Sequence, residues 1–331
     1  MSNQSDIREN EIVALDEKLM PILLIDRTRS MSGEVHNLIW ATDNYVHFGD
    51  NYQEWGEISV ESVTGENGLI LRPRVNKSKA EQEYRTKDKA EVFTPAWMCN
   101  KQNNLIDIAW FELKCSPFNK EKGGSWETVK RPIPFPIKSG RTWQDYVKDL
   151  RIEVACGEAP YLVSRYDTIS GIDIPVSKRI GLLDRKLRVV SENNNTEQEW
   201  HKWAKEAYKS IYGYEWQGDN LVIARESLLY TFLDFFENKF NHLPSKEQTR
   251  EIAYIISWNL WQMDGIKGVI PGSCYNLQTQ SFDIFGEPVK PYCRGCELPD
   301  ESDSIRNHIG IYCMIMDWEK NKPFRFIEML K

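Results

Sequence analysis

The stretch Arg151–Asp167, RIEVACGEAPYLVSRYD, constrains the fold more than any other part of the chain. A short apolar run (Ile152, Val154, Ala155) reaches a Cys156-Gly157 turn, and Pro160 then opens Tyr161-Leu162-Val163. Glycine supplies the backbone freedom for a tight turn. Proline suits the first position of a helix, where no N–H is required. The expectation is strand, glycine turn, helix, with free N–H groups at the helix start to receive an anionic or polar small molecule. A single glycine turn is more often an ordinary connection, so its meaning depends on the flanking chain.

Downstream, strands and helices alternate. Trp200, Trp203, Ala204, Ala207, Tyr208 and Ile211 recur at helical spacing and predict an amphipathic helix over Glu197–Ser210. Ile211–Trp216 reads as a buried strand ending in the acid Glu215. Leu221, Ala224, Leu228, Phe232 and Phe235 then mark one helix face. Ser245 and Gln248 form a capping box for another helix, about Ser245–Trp258. It feeds a strand, Asn259–Met263, that ends at Asp264-Gly265. This order predicts a parallel sheet with crossover helices. Residues 166–198 interrupt it as an insertion, with a mixed apolar and basic run at Ile180–Val190 and a polar, exposed Ser191–Gln198. Ligands of such sheets sit at the carboxyl ends of the strands. Cys156-Gly157, Glu215 and Asp264 all fall there. A lone strand-end acid is ordinarily a cap or a surface charge; three such features in succession point to one binding edge.

Upstream, Pro21–Ile25, Asn37–Thr42, Ile58–Val63 and Leu69–Arg72 are short apolar runs between turn residues, which predicts a β-rich region over residues 1–89. Arg72–Lys89 holds seven Lys/Arg against three Asp/Glu. It suits either a solvated linker or a phosphate-contacting surface. Thr94 and Pro95 open a helix from about Ala96 to Glu112, with Trp97, Met98, Leu105, Ile108 and Ala109 as its apolar face. Ser116–Arg141 reads as loop and Thr142–Leu150 as a short helix.

The tail, residues 271–331, changes character. Cys293-x2-Cys296-x11-His308-x4-Cys313 approximates the ligand spacing of a structural zinc site, with Cys274 an alternative to His308. Ile309–Trp318 and Pro323–Met329 read as two strands. Seven cysteines are an odd number. With a polar, acidic N-terminus that is no signal peptide, they imply reduced thiols or a metal site in a cytoplasmic protein. No apolar run is long enough to span a bilayer. The net charge of −7 argues against strong non-specific DNA binding by the whole chain.

Four stretches together resemble the adenine-N6 DNA methyltransferases of restriction–modification systems in which the cofactor half precedes target recognition. Ala90-Glu91-Val92-Phe93-Thr94-Pro95 resembles the G-x-V-x-T-P element of that family. The resemblance sets Phe93, Thr94 and Pro95 against the methionine part of S-adenosylmethionine. Glu153-Val154-Ala155-Cys156-Gly157-Glu158-Ala159 resembles the E-P-x-C-G-x-G cofactor loop, implying cofactor contacts at Glu153, Ala155, Cys156 and Gly157. Tyr212-Gly213-Tyr214-Glu215 resembles the strand whose acid holds the ribose hydroxyls. Asn259–Gly265 resembles the strand whose Asp, here Asp264 followed by Gly265, accepts from the adenine amine. Residues 90–270 are thus expected to form a partial, Rossmann-like methyltransferase sheet between the N-terminal region and the tail.

The chain also departs from that pattern. Ala90, Val154 and Ala159 replace the usual Gly, Pro and Gly, and Glu215 follows Gly157 by 58 positions, where about 20 are usual in a compact nucleotide unit. The Asp/Asn-Pro-Pro-aromatic loop that holds a flipped base is absent, since the chain contains no Pro-Pro. No Pro-Cys occurs either, so no cytosine-C5 nucleophile of the usual kind is present. The expectation is an S-adenosylmethionine-binding subunit that needs a partner polypeptide for catalysis, target recognition and DNA contact. A truncated product or an inactive, regulatory methyltransferase-like protein are the alternatives.

Overall fold

Helices occupy two of the four N-terminal runs read as strands, Pro21–Ile25 and Ile58–Val63. The computed structural model describes residues 9–89, 91–135, 140–275, 281–282, 288–289, 292–298 and 304–330; Ala90 lies outside them. Residues 9–89 form α1 (Glu9–Leu15), α2 (Leu19–Leu24), α3 (Val60–Val63) and α4 (Lys79–Asp88). Leu19, Met20, Leu23 and Leu24 are buried at helical spacing. Pro21 sits within the first turn of α2, where its missing N–H costs no helical bond. Extended pairing survives only as isolated bridges, Ile25 with Asn37 and Ile39 with Glu57. The region is therefore helical with scattered bridges rather than β-rich.

The basic stretch sends two of its side chains into the interior. Arg85 is fully buried. It reaches Glu91 at 2.7 Å and Asp219 at 2.8 Å, with Lys77 3.5 Å from the same Asp219. Two of its seven cations are thus spent inside the fold.

Next come α5 (Ala96–Phe111), the hairpin β1 (Asn119–Lys122) and β2 (Ser125–Thr128), and α6 (Trp143–Lys148). The structure then gives β3 (Arg151–Glu153), α7 (Leu182–Asn193), α8 (Glu197–Lys209), β4 (Ile211–Glu215), α9 (Gly218–Phe240), α10 (Lys246–Asn259) and β5 (Leu260–Gln262). β3, β4 and β5 form a parallel sheet in that spatial order, with Arg151 opposite Ile211 and Gly213 opposite Leu260. Helices carry both crossovers, as the alternation predicts. The tail adds the short pair β6 (Ser281–Phe282) and β7 (Pro288–Val289), α11 (Arg294–Glu297), and the hairpin β8 (Met314–Asp317) and β9 (Lys322–Arg325).

The boundaries expected near residues 89 and 270 are crossed by packing. One apolar cluster runs from Ile12 through Leu187 and Phe232 to Leu260. A second joins Tyr214, Trp261 and Ile270 to Cys313, Ile315 and Phe326. The N-terminal region, the parallel sheet and the last hairpin therefore share cores. Among the described residues no helix is long and apolar enough to cross a membrane.

α5 inverts its expected orientation. Asn100, Asn103, Asn104 and Asp107 are buried, while Trp97 and Leu105 are exposed. The cause is Arg185 of α7, which pairs with Asp107 and donates to Asn100 and Asn104 at 2.9 Å each. Tyr146 of α6 donates to the other Asp107 oxygen at 2.9 Å. Arg185→Met is expected to cost about 3–5 kcal/mol in urea unfolding, because Asp107 is left buried without its cation. A loss below about 1 kcal/mol, the level of a surface pair, would contradict this account.

Candidate functional site

β3 ends at Glu153, and the next ten residues form turns. Ala155, Gly157 and Ala159 adopt left-handed backbone, with φ of 49°, 53° and 59°. The helix expected after Pro160 stops at a single turn, because the carbonyls of Tyr161 and Leu162 accept the N–H groups of Leu182 and Leu183 at 2.8 and 2.9 Å. Glu153 organises the turns. Its carboxylate accepts the N–H groups of Tyr161 at 3.4 Å and Leu162 at 3.1 Å. Ala159 holds a backbone conformation that ordinarily favours glycine.

Glu215, at the end of β4, faces this loop. One carboxylate oxygen accepts the Gly157 N–H at 2.9 Å and the other accepts the Gln217 N–H at 3.1 Å. Burial raises the pKa of Glu215, and these N–H groups oppose the rise. A carboxylate has about four acceptor positions, so two bonds leave capacity for hydroxyl donors. Cys156 is buried, and burial pushes its thiol well above its ordinary pKa. Its Sγ would lie 3.3 Å from a Cβ at Gly213, so the glycine lets the loop close on β4. This thiol packs; it is not poised as a nucleophile.

Phe93, Thr94 and Pro95 lie against the same loop. The Phe93 ring comes within 3.7 Å of a Cβ position on Gly157, and the Arg74 guanidinium lies 5.2 Å from the ring centre. Thr94 presents its carbonyl to the Thr168 hydroxyl at 3.0 Å. Pro95, rather than Thr94, is the N-cap of α5. The first free N–H of that helix, at Ala96, is taken by Asp167 at 2.7 Å.

β5 delivers the third corner. The Met263 N–H bonds to the Glu215 carbonyl at 2.9 Å, and Asp264 follows. Asp264 is a turn acid here: one oxygen accepts the N–H groups of Ile266 at 3.0 Å and Lys267 at 3.2 Å, and the other lies 3.4 Å from the Lys267 ammonium. Gly265 is required, because a Cβ there would meet the Tyr214 ring at 2.7 Å. Two residues not singled out from sequence stand beside these acids. Trp216 is 37% exposed and Ile266 is 86% exposed. Their signal was position: each follows closely on a strand-end acid.

The tail brings together Cys274, Cys293, Cys296 and His308, whose ligand atoms all lie within 4.8 Å of one another. His308 Nδ1 stands 3.6 Å from Cys274 Sγ and 3.5 Å from both Cys293 Sγ and Cys296 Sγ. One ring nitrogen offers one donor or one acceptor, so it cannot bond three thiols. A metal ion at their centre satisfies all four. Gly295 admits the imidazole, since a Cβ there would lie 2.7 Å from its Cε1. Cys313, expected as a ligand, is elsewhere. Its Sγ is 3.3 Å from the Gln262 carbonyl, beneath β5, because residue 313 pairs with Gly268. Cys274 takes its place, and His308 remains.

No protein-family model, curated protein or solved structure matches this chain. The fold and the two clusters therefore carry the functional reading.

Glu153 makes the sheet edge sensitive to pH. Burial is the main cause that pushes its pKa up to about 8 from 4.5, with Glu215 adding to the rise against two backbone N–H bonds. Its contribution is full below pH 4.5 and is lost as pH rises through 8. Wild type is expected to lose stability relative to Glu153→Gln across that window, read as urea midpoints. A difference that stays flat with pH would mean that Glu153 is ionised in the fold.

Proposed function

We propose that the carboxyl edge of the parallel sheet binds S-adenosylmethionine. In this reading the chain is the cofactor-binding half of a split adenine-N6 DNA methyltransferase of restriction–modification type. The observation that carries the reading is convergence: Phe93 packs on Gly157, Gly157 bonds Glu215, and the Glu215 carbonyl holds the residue before Asp264. These are the same stretches that resemble the family, met at one edge of a sheet where ligands bind.

Glu215 would receive the ribose hydroxyls, and Asp264, an acceptor-only ion, the adenine amine. Trp216 and Ile266 offer apolar surface for the purine. Ala155, Cys156 and Gly157 bring backbone close to the ligand, and Phe93–Pro95 bound the methionine end. The bound cofactor supplies an electrophilic methyl group. The chain contains no Asp/Asn-Pro-Pro-aromatic loop to present a base, so a partner polypeptide supplies that loop, target recognition and the DNA contact. One observation favours a second reading, an inactive regulatory relative: Asp264 already serves its own turn and Lys267.

The donor set of the tail supports zinc. Tetrahedral zinc with Zn–S of about 2.3 Å and Zn–N of about 2.05 Å sets sulfur and nitrogen about 3.6 Å apart. The three distances here are 3.5, 3.5 and 3.6 Å. Four protein ligands leave no open position, so the role is structural.

Calorimetry tests the cofactor reading. The chain alone is expected to bind S-adenosylmethionine, with Glu215→Gln and Ile266→Ala each weakening it by about tenfold, about 1.4 kcal/mol. Ile266 is exposed, so its variant keeps the wild-type thermal midpoint. Absence of binding heat by the wild type refutes the reading. Methylation of DNA is expected only with a partner that carries the missing loop; methylation by the chain alone refutes the split.

A further inference from the structure

We propose that metal held by Cys274, Cys293, Cys296 and His308 fastens the turn leaving β5, and so fixes the Asp264 side of the sheet edge. The inference rests on the zinc assignment above and is independent of the cofactor.

The turn closes on itself through two bonds, Asp264 N–H to the Val269 carbonyl and Gly268 N–H to the Asp264 carbonyl, both at 2.8 Å. Its outer side is held by the tail. Cys313 N–H donates to the Gly268 carbonyl at 3.0 Å, Ile270 N–H donates to the Ile311 carbonyl at 2.8 Å, and Val269 bridges Tyr312 antiparallel. Two arms leave this ladder. One runs from Ile270 to Cys274, and the other runs back from Ile311 to His308. Both arms therefore end on a metal ligand.

One side of the ladder, Ile270 and Cys313, packs into the cluster of Trp261 and Phe326. The other side has little packing of its own: Val269, Cys274 and Cys293 are buried there, with Tyr275, Cys296 and Tyr312 partly buried against them. Two of the three buried members are ligands. The arms meet at Gly310, where a Cβ would lie 2.6 Å from Ser273 Oγ and 2.9 Å from Cys274 Sγ. Ser273 Oγ also accepts the Ile311 N–H at 3.0 Å. A ladder this short is marginal in water. A metal that joins its two arms removes the freedom of the open state, so binding energy becomes local folding energy. The site thus does for the turn what a larger core would do elsewhere.

Elemental analysis and hydrogen exchange on the full chain test this. Protein purified without chelator is expected to hold one zinc per chain, retained by Cys313→Ser and lost by Cys274→Ser. Removing the zinc should speed exchange at Gly268, Val269, Ile270 and Cys313 on the order of 100-fold. Gly213 and Tyr214, in the parallel sheet, should change by less than about threefold. Equal protection of the turn with and without metal overturns the proposal, as does an absence of zinc. If Cys274→Ser fails to fold, X-ray absorption of the wild type decides the ligand set: three sulfurs and one nitrogen support it, and four sulfurs overturn it. Every readout works without S-adenosylmethionine, so calorimetry with that ligand succeeds or fails separately.

Discussion

Glu215 is the residue through which the three parallel strands hold together at their carboxyl ends. Its side chain accepts an N–H from the loop after β3, and its carbonyl accepts an N–H from the residue after β5. A strand three residues long offers few ladder bonds, and both β3 and β5 are that short. A side-chain bond at the strand exit therefore contributes disproportionately to so small a sheet. The loop geometry at Gly157 depends on this side chain.

Around this sheet the interior is unusually polar, and cations do much of the joining. Arg225 of α9 donates to the carbonyls of Ile25, Ser257 and Leu260 at 2.6–3.1 Å. It thereby satisfies the ends of α2 and α10, whose last carbonyls lack helical partners. Lys186 of α7 donates to the Val147 carbonyl and the Ser210 hydroxyl at 3.0 and 2.6 Å, tying α6 to the start of β4. Arg85 ties α4 to α9. Each such residue removes unsatisfied polar groups from a buried junction, and each would leave them orphaned if truncated.

This explains what the sequence made legible and what it hid. The parallel strands were readable because each is an apolar run ended by glycine or an acid, and α8 and α10 because their periodicity and caps are regular. α7 was not readable as a helix, since Arg185 and Lys186 look like surface residues and are buried. α5 lies where the sequence places it but is rotated, because three asparagines and Asp107 join Cys99 and Phe111 on its buried face. The strand–turn–helix expected at Pro160 ends after one turn because the carbonyls of Tyr161 and Leu162 pair with Leu182 and Leu183, 21 positions on, which no local pattern announces. Cys-x-x-Cys flags the Cys/His cluster. Its spacing selects Cys313 and leaves His308 and Cys274 as alternatives, whereas the pairing of residue 313 with Gly268 turns the Cys313 sulfur away and both His308 and Cys274 join the cluster.

The inverted α5 has a consequence for how the chain reaches its fold. An amphipathic helix ordinarily docks early, because its apolar face gains from any apolar surface it meets. α5 gains less that way: beside Cys99 and Phe111 its inward side carries Asn100, Asn103, Asn104 and Asp107, and Arg185, which bonds all of these but Asn103, lies 78 positions from Asp107. Until α7 is in place those amides and that carboxylate are better solvated by water than by protein. The seating of the helix thus depends on polar partners, Arg185 and Tyr146 among them. Its register is set by hydrogen-bond geometry rather than by size and shape, and a slip of one residue would break every bond at once.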